Sequence, residues 1–104
     1  MKNIEIELEV VSTDIIIDNT SMSISSLKKC KFNQQAIIKN GYPIGLLRNI
    51  YVNDNKLMIN GILHEETNYK RVHPEIIINK YRYVKDLNLN IIDDFTLVAV
   101  CLTE

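Results

Sequence analysis

The chain has 104 residues, 46% of them hydrophobic and 24% charged, which suits one globular domain with a modest core and excludes a disordered chain. A formal net charge of -1 and a pI near 6.1 exclude a global field that would draw the protein to nucleic acid or to an anionic membrane. No apolar run approaches the ~20 residues of a membrane-crossing helix, and the N-terminus alternates Ile and Glu where a signal peptide needs a basic start and an apolar block, so a soluble, unsecreted protein is expected.

Ile4, Ile6, Leu8 and Val10 alternate with Glu5, Glu7 and Glu9, the period of a half-buried strand with one wet face. Ile15-Ile16-Ile17, between Asp14 and Asp18-Asn19, lacks alternation and reads as a short strand covered on both sides. Ser23 or Ser25 caps a short helix that carries Ile24 and Leu27 inward and ends in Lys28, Lys29 and Lys31, where cations favour the helix C-terminus. Ala36-Ile37-Ile38 is a strand closed by an Asn40-Gly41 turn, two residues that tolerate positive φ. Residues 44–52 and 56–63 form a β-hairpin across Asn53-Asp54-Asn55, with a loop of three to four residues. Residues 65–72 are polar, a helical turn or a loop, and His73-Pro74 breaks them. Ile76-Ile77-Ile78 belongs either to a short helix or to a strand. Strands follow at residues 81–84 and 95–102, with a further one at 87–92 also open. Many short strands with no βαβ alternation predict a β-rich α+β fold, a small antiparallel barrel or strongly curved sheet with one or two short helices.

Cys30 and Cys101 have no short-spaced partner and read as free thiols. A zinc site from Cys30, His64, His73 and Cys101 has suitable ligand types without the close pairs such sites show, so no metal or cofactor is expected. His64 and His73 are the only bases of their kind, available in principle to a serine among residues 21–26 or to Cys101; the simpler reading places both on the surface. Lys80 and Arg82 interleave with Tyr81 and Tyr83, but strand alternation puts Lys80, Arg82 and Val84 on one face and Tyr81, Tyr83 and Lys85 on the other, which fits packing or a protein interface better than nucleic-acid binding.

Three segments, taken in order, resemble the fold shared by tailed-phage prohead proteases and the herpesvirus maturation protease, assemblin. They are Tyr42-Pro43-Ile44-Gly45 with Leu57-Met58-Ile59-Asn60-Gly61, then Tyr81-Arg82-Tyr83-Val84-Lys85, then Phe95-Thr96-Leu97-Val98-Ala99-Val100-Cys101. The resemblance implies a Pro-Ile-Gly turn preceded by a catalytic His, yet no His lies between Phe32 and Tyr51. It implies a nucleophilic Ser where Lys85 stands and a His or acid where Leu97 stands. Loss of such groups typically lowers the rate by ~10⁴ to 10⁶, so the resemblance implies a non-enzymatic capsid auxiliary or decoration protein. Its expected partner is the major capsid protein or another virion protein, its contact residues Tyr81, Arg82, Tyr83 and Lys85, and its place the virion, assembled in the host cytoplasm. A homo-oligomer is compatible with this. The other readings are a divergent active prohead protease using His64 or His73, and a small phage-encoded inhibitor of a host protein.

Overall fold

The computed structural model describes residues 3–14, 16–32 and 36–104. Seven strands, one short helix and one 3-10 turn follow in chain order. They are β1 (Ile4–Ser12), β2 (Thr20–Met22), α1 (Ile24–Lys29), β3 (Ala36–Lys39), β4 (Tyr42–Asn53), β5 (Lys56–Leu63), β6 (Arg71–Val84), the turn Lys85–Leu87, and β7 (Leu89–Thr103). The sheet runs β1-β5-β4-β3-β7, with β6 along one edge of β7 and both β3 and β2 on the other. It curls into a half-barrel whose rims are β1 and β6. This is the strand-dominated, strongly curved architecture that the alternation predicts. Most pairs are antiparallel, but β2 and β3 join β7 in parallel, which makes the sheet mixed.

β1 buries Leu8 and Val10 and exposes Glu5, Glu7 and Glu9, as its period requires. Phe95, Ile37, Leu57, Ile59, Leu97, Val100 and Leu102 are sealed completely, each stabilising by roughly 1.5–3 kcal/mol through burial. Ser23 caps α1, accepting from the Ser26 amide at 3.2 Å, and Leu27 is buried beneath. Lys28 and Lys29 close the last turn as expected. Ile24, expected inward, is exposed; Ser26 takes the buried place instead, its hydroxyl donating to the Ser23 carbonyl at 2.6 Å.

Four further expectations are corrected. Ile15 lies outside the described residues, and Ile16 and Ile17 are exposed rather than covered. The reason is local: Asp18 and Asn19 both adopt positive φ and fold the chain back at once, so Ile17 and Thr20 exchange hydrogen bonds of 3.0 and 2.9 Å. The β4–β5 loop has two residues, because Asn53 pairs with Lys56. Pro43-Ile44-Gly45 lies within β4, the turn falling earlier at Asn40 and Gly41, both with positive φ. His73-Pro74 does not break the chain but lies inside β6. Proline is tolerated there because β6 is an edge strand that need not donate on its free side. Ile76-Ile77-Ile78 continues the same strand, and the last segment begins at Leu89. The connection before β6 is held by Lys39, whose Nζ donates to Thr67 Oγ1 at 2.7 Å, the Asn68 carbonyl at 2.5 Å and Glu104 Oε1 at 2.9 Å.

A Cβ at Gly45 would collide with the Ile62 carbonyl oxygen, a backbone atom that cannot step aside, whereas one at Gly41 meets open space but sits at φ +81°. Gly45→Ala is therefore expected to lower unfolding free energy by about 2–3 kcal/mol and Gly41→Ala by about 1 kcal/mol. Urea midpoints at constant m-value check the order.

Candidate protein-binding surface

β6 and β7 pair from Arg71 opposite Thr103 to Val84 opposite Leu89, longer than the body they leave. The molecule measures 52 × 24 × 22 Å, and from residue 77 to residue 83 every position of β6 is exposed. This projecting strand pair is an arm.

Its two faces differ in chemistry. Asn79 is an extra residue on β6, and its amide donates to Asp94 Oδ1 at 3.2 Å and Thr96 Oγ1 at 3.0 Å. Arg82 Nε donates to Asp93 Oδ2 at 2.8 Å. Partial desolvation pushes the Asp93 carboxyl up, but the Ser23 hydroxyl, the Arg82 guanidinium and the Lys80 charge outweigh it and hold it below its ordinary value. Arg71, His73, Glu75, Ile77 and these polar groups belong to the outer face by alternation.

The inner face carries Val72, Pro74, Ile76, Ile78 and, past the extra residue, Tyr81 and Tyr83. Val72 and Ile76 pack on the core. Beyond them Ile78, Tyr81 and Tyr83 keep 49%, 64% and 56% of their surface in water, which leaves the stripe uncovered. A cleft of about 630 Å³ runs between β1 and β6, with Val10, Met22, Ile76, Ile78 and Ile92 among its walls. A shallower hollow of about 220 Å³ continues it past Ile78 and Ile92 to Tyr81. The arm is stiffened at its tip, where the Tyr83 hydroxyl donates to Asn88 Oδ1 at 2.6 Å and Asn88 takes the left-handed conformation.

The four expected contact residues thus gather on the arm, but not on one face. Tyr81 borders the shallower hollow and Tyr83 shares its face by alternation, Arg82 pairs with Asp93, and Lys85 lies past the strand in the 3-10 turn. The sequence reading missed Ile78, Met22 and Ile92. The signal for Ile78 was present as apolar 72, 74, 76 and 78 against polar 71, 73 and 75, once Pro74 is read as a strand residue, whereas Met22 and Ile92 come together only through the β2–β7 pairing.

Several of the groups considered for chemistry are engaged elsewhere, while Ser25 is exposed and, among the described residues, hydrogen-bonds only with the Ser23 hydroxyl, at 3.1 Å. The Ser21, Ser23 and Ser26 hydroxyls donate to the carbonyls of Thr13, Ile92 and Ser23. His64 Nδ1 lies 3.5 Å from Asn3 Oδ1 at the surface. His73 stands opposite Cys101 in register, yet that thiol donates to Glu75 Oε1 at 3.3 Å. Burial first, then the Glu75 hydrogen bond and charge, push Cys101 up, the opposite of what an attacking thiolate needs. Among the described residues no three His, Cys, Asp or Glu groups gather to hold a metal. Lys85 and Leu97, the positions at which the sequence resemblance implied catalytic groups, are not brought together. Leu97 is opposite Ile76, and Lys85 follows roughly 30 Å farther along the arm at ~3.3 Å per residue. The acidic strip of β1 is met by β4 and β5, Tyr51 donating to Glu7 Oε1 at 2.6 Å and Lys56 lying 3.9 Å from Glu9 Oε1. No helix is long and apolar enough to cross a membrane among the described residues. No protein family, curated protein or solved structure matches the chain.

Cys30 supplies a pH dependence. Burial pushes its thiol from 9.0 to about 11, against a lowering hydrogen bond from the Leu97 backbone and with a smaller push from Asp94. The folded value is the higher, so the contribution is complete below pH 9.0 and is lost as pH rises toward about 11. Unfolding free energy is expected to fall across that window, and the Cys30→Ala variant to show a shallower fall when the two are compared by urea titration.

Proposed function

We propose that the protein acts by binding another protein through the β6–β7 arm and performs no catalysis of its own. The observation that carries this reading is the uncovered apolar stripe of Ile78, Tyr81 and Tyr83 on a projecting, internally braced strand pair. Large exposed apolar patches on a folded surface mark interaction sites, and tyrosines are enriched where such interfaces bury their centre. A stable contact removes about 800 Å² per partner, and the arm with its adjoining cleft offers a surface of that kind. The protonated, carboxylate-bound state of Cys101 and the backbone-bound serines support the absence of a nucleophile.

The resemblance to capsid-maturation proteases gives this reading its specific form: a virion component, a capsid auxiliary or decoration protein on the major capsid protein. It rests on the order of three sequence segments, whereas the arm supports protein binding in general. Quantitative mass spectrometry of purified particles tests the specific form, with a ratio near a simple fraction of the major capsid protein expected, and trace amounts or none overturning it.

The general reading has its own test on the partner recovered. Tyr81→Ser and Tyr83→Ser are each expected to weaken binding by at least ~30-fold, the ~2 kcal/mol of an interface hot spot. Because the Tyr81 side chain is exposed, Tyr81→Ser should keep stability within ~0.5 kcal/mol of the parent, whereas Tyr83→Ser also loses the bond to Asn88 and should fall by about 1 kcal/mol. Unchanged affinity in isothermal titration for both variants removes the arm as the contact element.

A further inference from the structure

We propose that β6 pairs edge to edge with β6 of a second copy, antiparallel about a two-fold axis at Ile78. The pairing goes beyond the partner-binding reading and holds whether or not that partner exists.

Among the described residues β6 pairs with β7 on one side and with no strand on the other, where β1 approaches its N-terminal half without a hydrogen-bond ladder. An unpaired edge of this length, carrying exposed apolar side chains, is a template for another strand, and antiparallel pairing of a strand with itself generates the self-complementary two-fold contact commonest among homo-oligomers. The side-chain order selects one register. Asn79 and Lys80 together occupy one step of the alternation, because Asn79 is the extra residue relative to β7. With the axis at Ile78, Ile76 then lies opposite Tyr81 of the second copy, Pro74 opposite Tyr83, and Glu75 opposite Arg82. Every apolar position meets an apolar one on the inner face, and on the outer face a carboxylate meets a guanidinium twice, once on each side of the axis. Directly opposed pairs of these kinds stabilise antiparallel strands. Pro74, without an amide hydrogen, sets where the pairing ends.

The same register has a steric complement. Ile76 and Pro74 line the cleft of about 630 Å³ beside β1, so the second copy's Tyr81 and Tyr83 arrive at its mouth. The most exposed aromatic residues of β6 and the apolar cleft next to it are projection and recess on one chain, which a two-fold axis brings together reciprocally.

Sedimentation equilibrium of the full chain is expected to give twice 12.0 kDa, and Ile78→Lys, which sets two cations on the axis, to give a monomer. A register-specific measurement stands beside it, in a background with Cys30→Ser and Cys101→Ser. Two copies of Ile78→Cys face each other at the axis, within the ~5 Å that oxidation can bridge, and should cross-link to completion. Glu75→Cys alone and Arg82→Cys alone should not, while a mixture of those two should. A parent chain that remains monomeric at its highest soluble concentration overturns the proposal, as does cross-linking of Glu75→Cys alone that equals that of Ile78→Cys. Sedimentation and cross-linking are read on the chain alone, with no partner present, so failure of the dimer is distinct from failure of partner recognition.

Discussion

The double pairing of β7 is the constraint from which the rest of the structure follows. Over its fifteen residues this strand carries β6 along one edge and receives β3, the bridge at Lys31 and then β2 on the other. Its inward side chains Phe95, Leu97, Val100 and Leu102 are sealed from water, so the strand that organises the hydrogen bonding also anchors the core. Such a strand cannot be displaced without unmaking both, and α1 is tied to it as well, the Ser23 amide donating to the Ile92 carbonyl at 3.1 Å.

The projecting arm is a consequence of that arrangement. β3 leaves β7 at Val100 and the Lys31 bridge ends at Thr96, but β7 begins far earlier, at Leu89. Among the described residues its first third is flanked by β6, the three residues of β2 and the backbone of Asn19 and Ser23, with Ile92 still buried in the core. A two- to three-stranded ribbon of this kind has marginal stability by itself, so its order comes from continuity with the β7 anchor and from side-chain ties across it, Asn79 to Asp94 and Thr96, Arg82 to Asp93, and Tyr83 to Asn88. These ties occupy the outer face and the tip. The inner face is left to apolar side chains of which Ile78, Tyr81 and Tyr83 keep about half or more of their surface in water.

Much of the fold was legible because its signals are local. The Ile/Glu alternation of β1, the Asn40-Gly41 turn, the β4–β5 hairpin and the serine cap of α1 all depend on neighbours within a few residues. What escaped depends on pairing between distant segments. Pro74 reads as a breaker until β6 is known to be an edge strand, and that one misreading hid the apolar series from Val72 to Ile78 and with it the cleft. Ile16 and Ile17 read as core until the left-handed pair Asp18 and Asn19 is seen to turn the chain back on itself. Tyr81 and Tyr83 were recognisable as one face of a strand. That this face continues from a cleft bounded by β1 was not, because Ser12 at the end of β1 and Arg71 at the start of β6 lie 59 positions apart in the chain and the two strands approach each other without a shared hydrogen-bond ladder.

The two rims of the half-barrel show how differently a free edge can be treated within one molecule. β1 carries Glu5, Glu7 and Glu9 along its outer face, charges that repel an approaching strand and discourage association. β6 carries a proline, one extra residue and the exposed charges Arg71, Glu75, Lys80 and Arg82, but among them it also presents Ile77, Ile78, Tyr81 and Tyr83 to solvent. If water were the permanent neighbour of β6, polar residues at those positions would serve the ladder equally well, since exposed side chains contribute little to it and large apolar ones invite aggregation. Protection of one edge beside openness of the other is the pattern of a surface held ready for a strand or side chain from outside the chain. On the proposed reading, this contrast favours the arm over the acidic rim as the contact element.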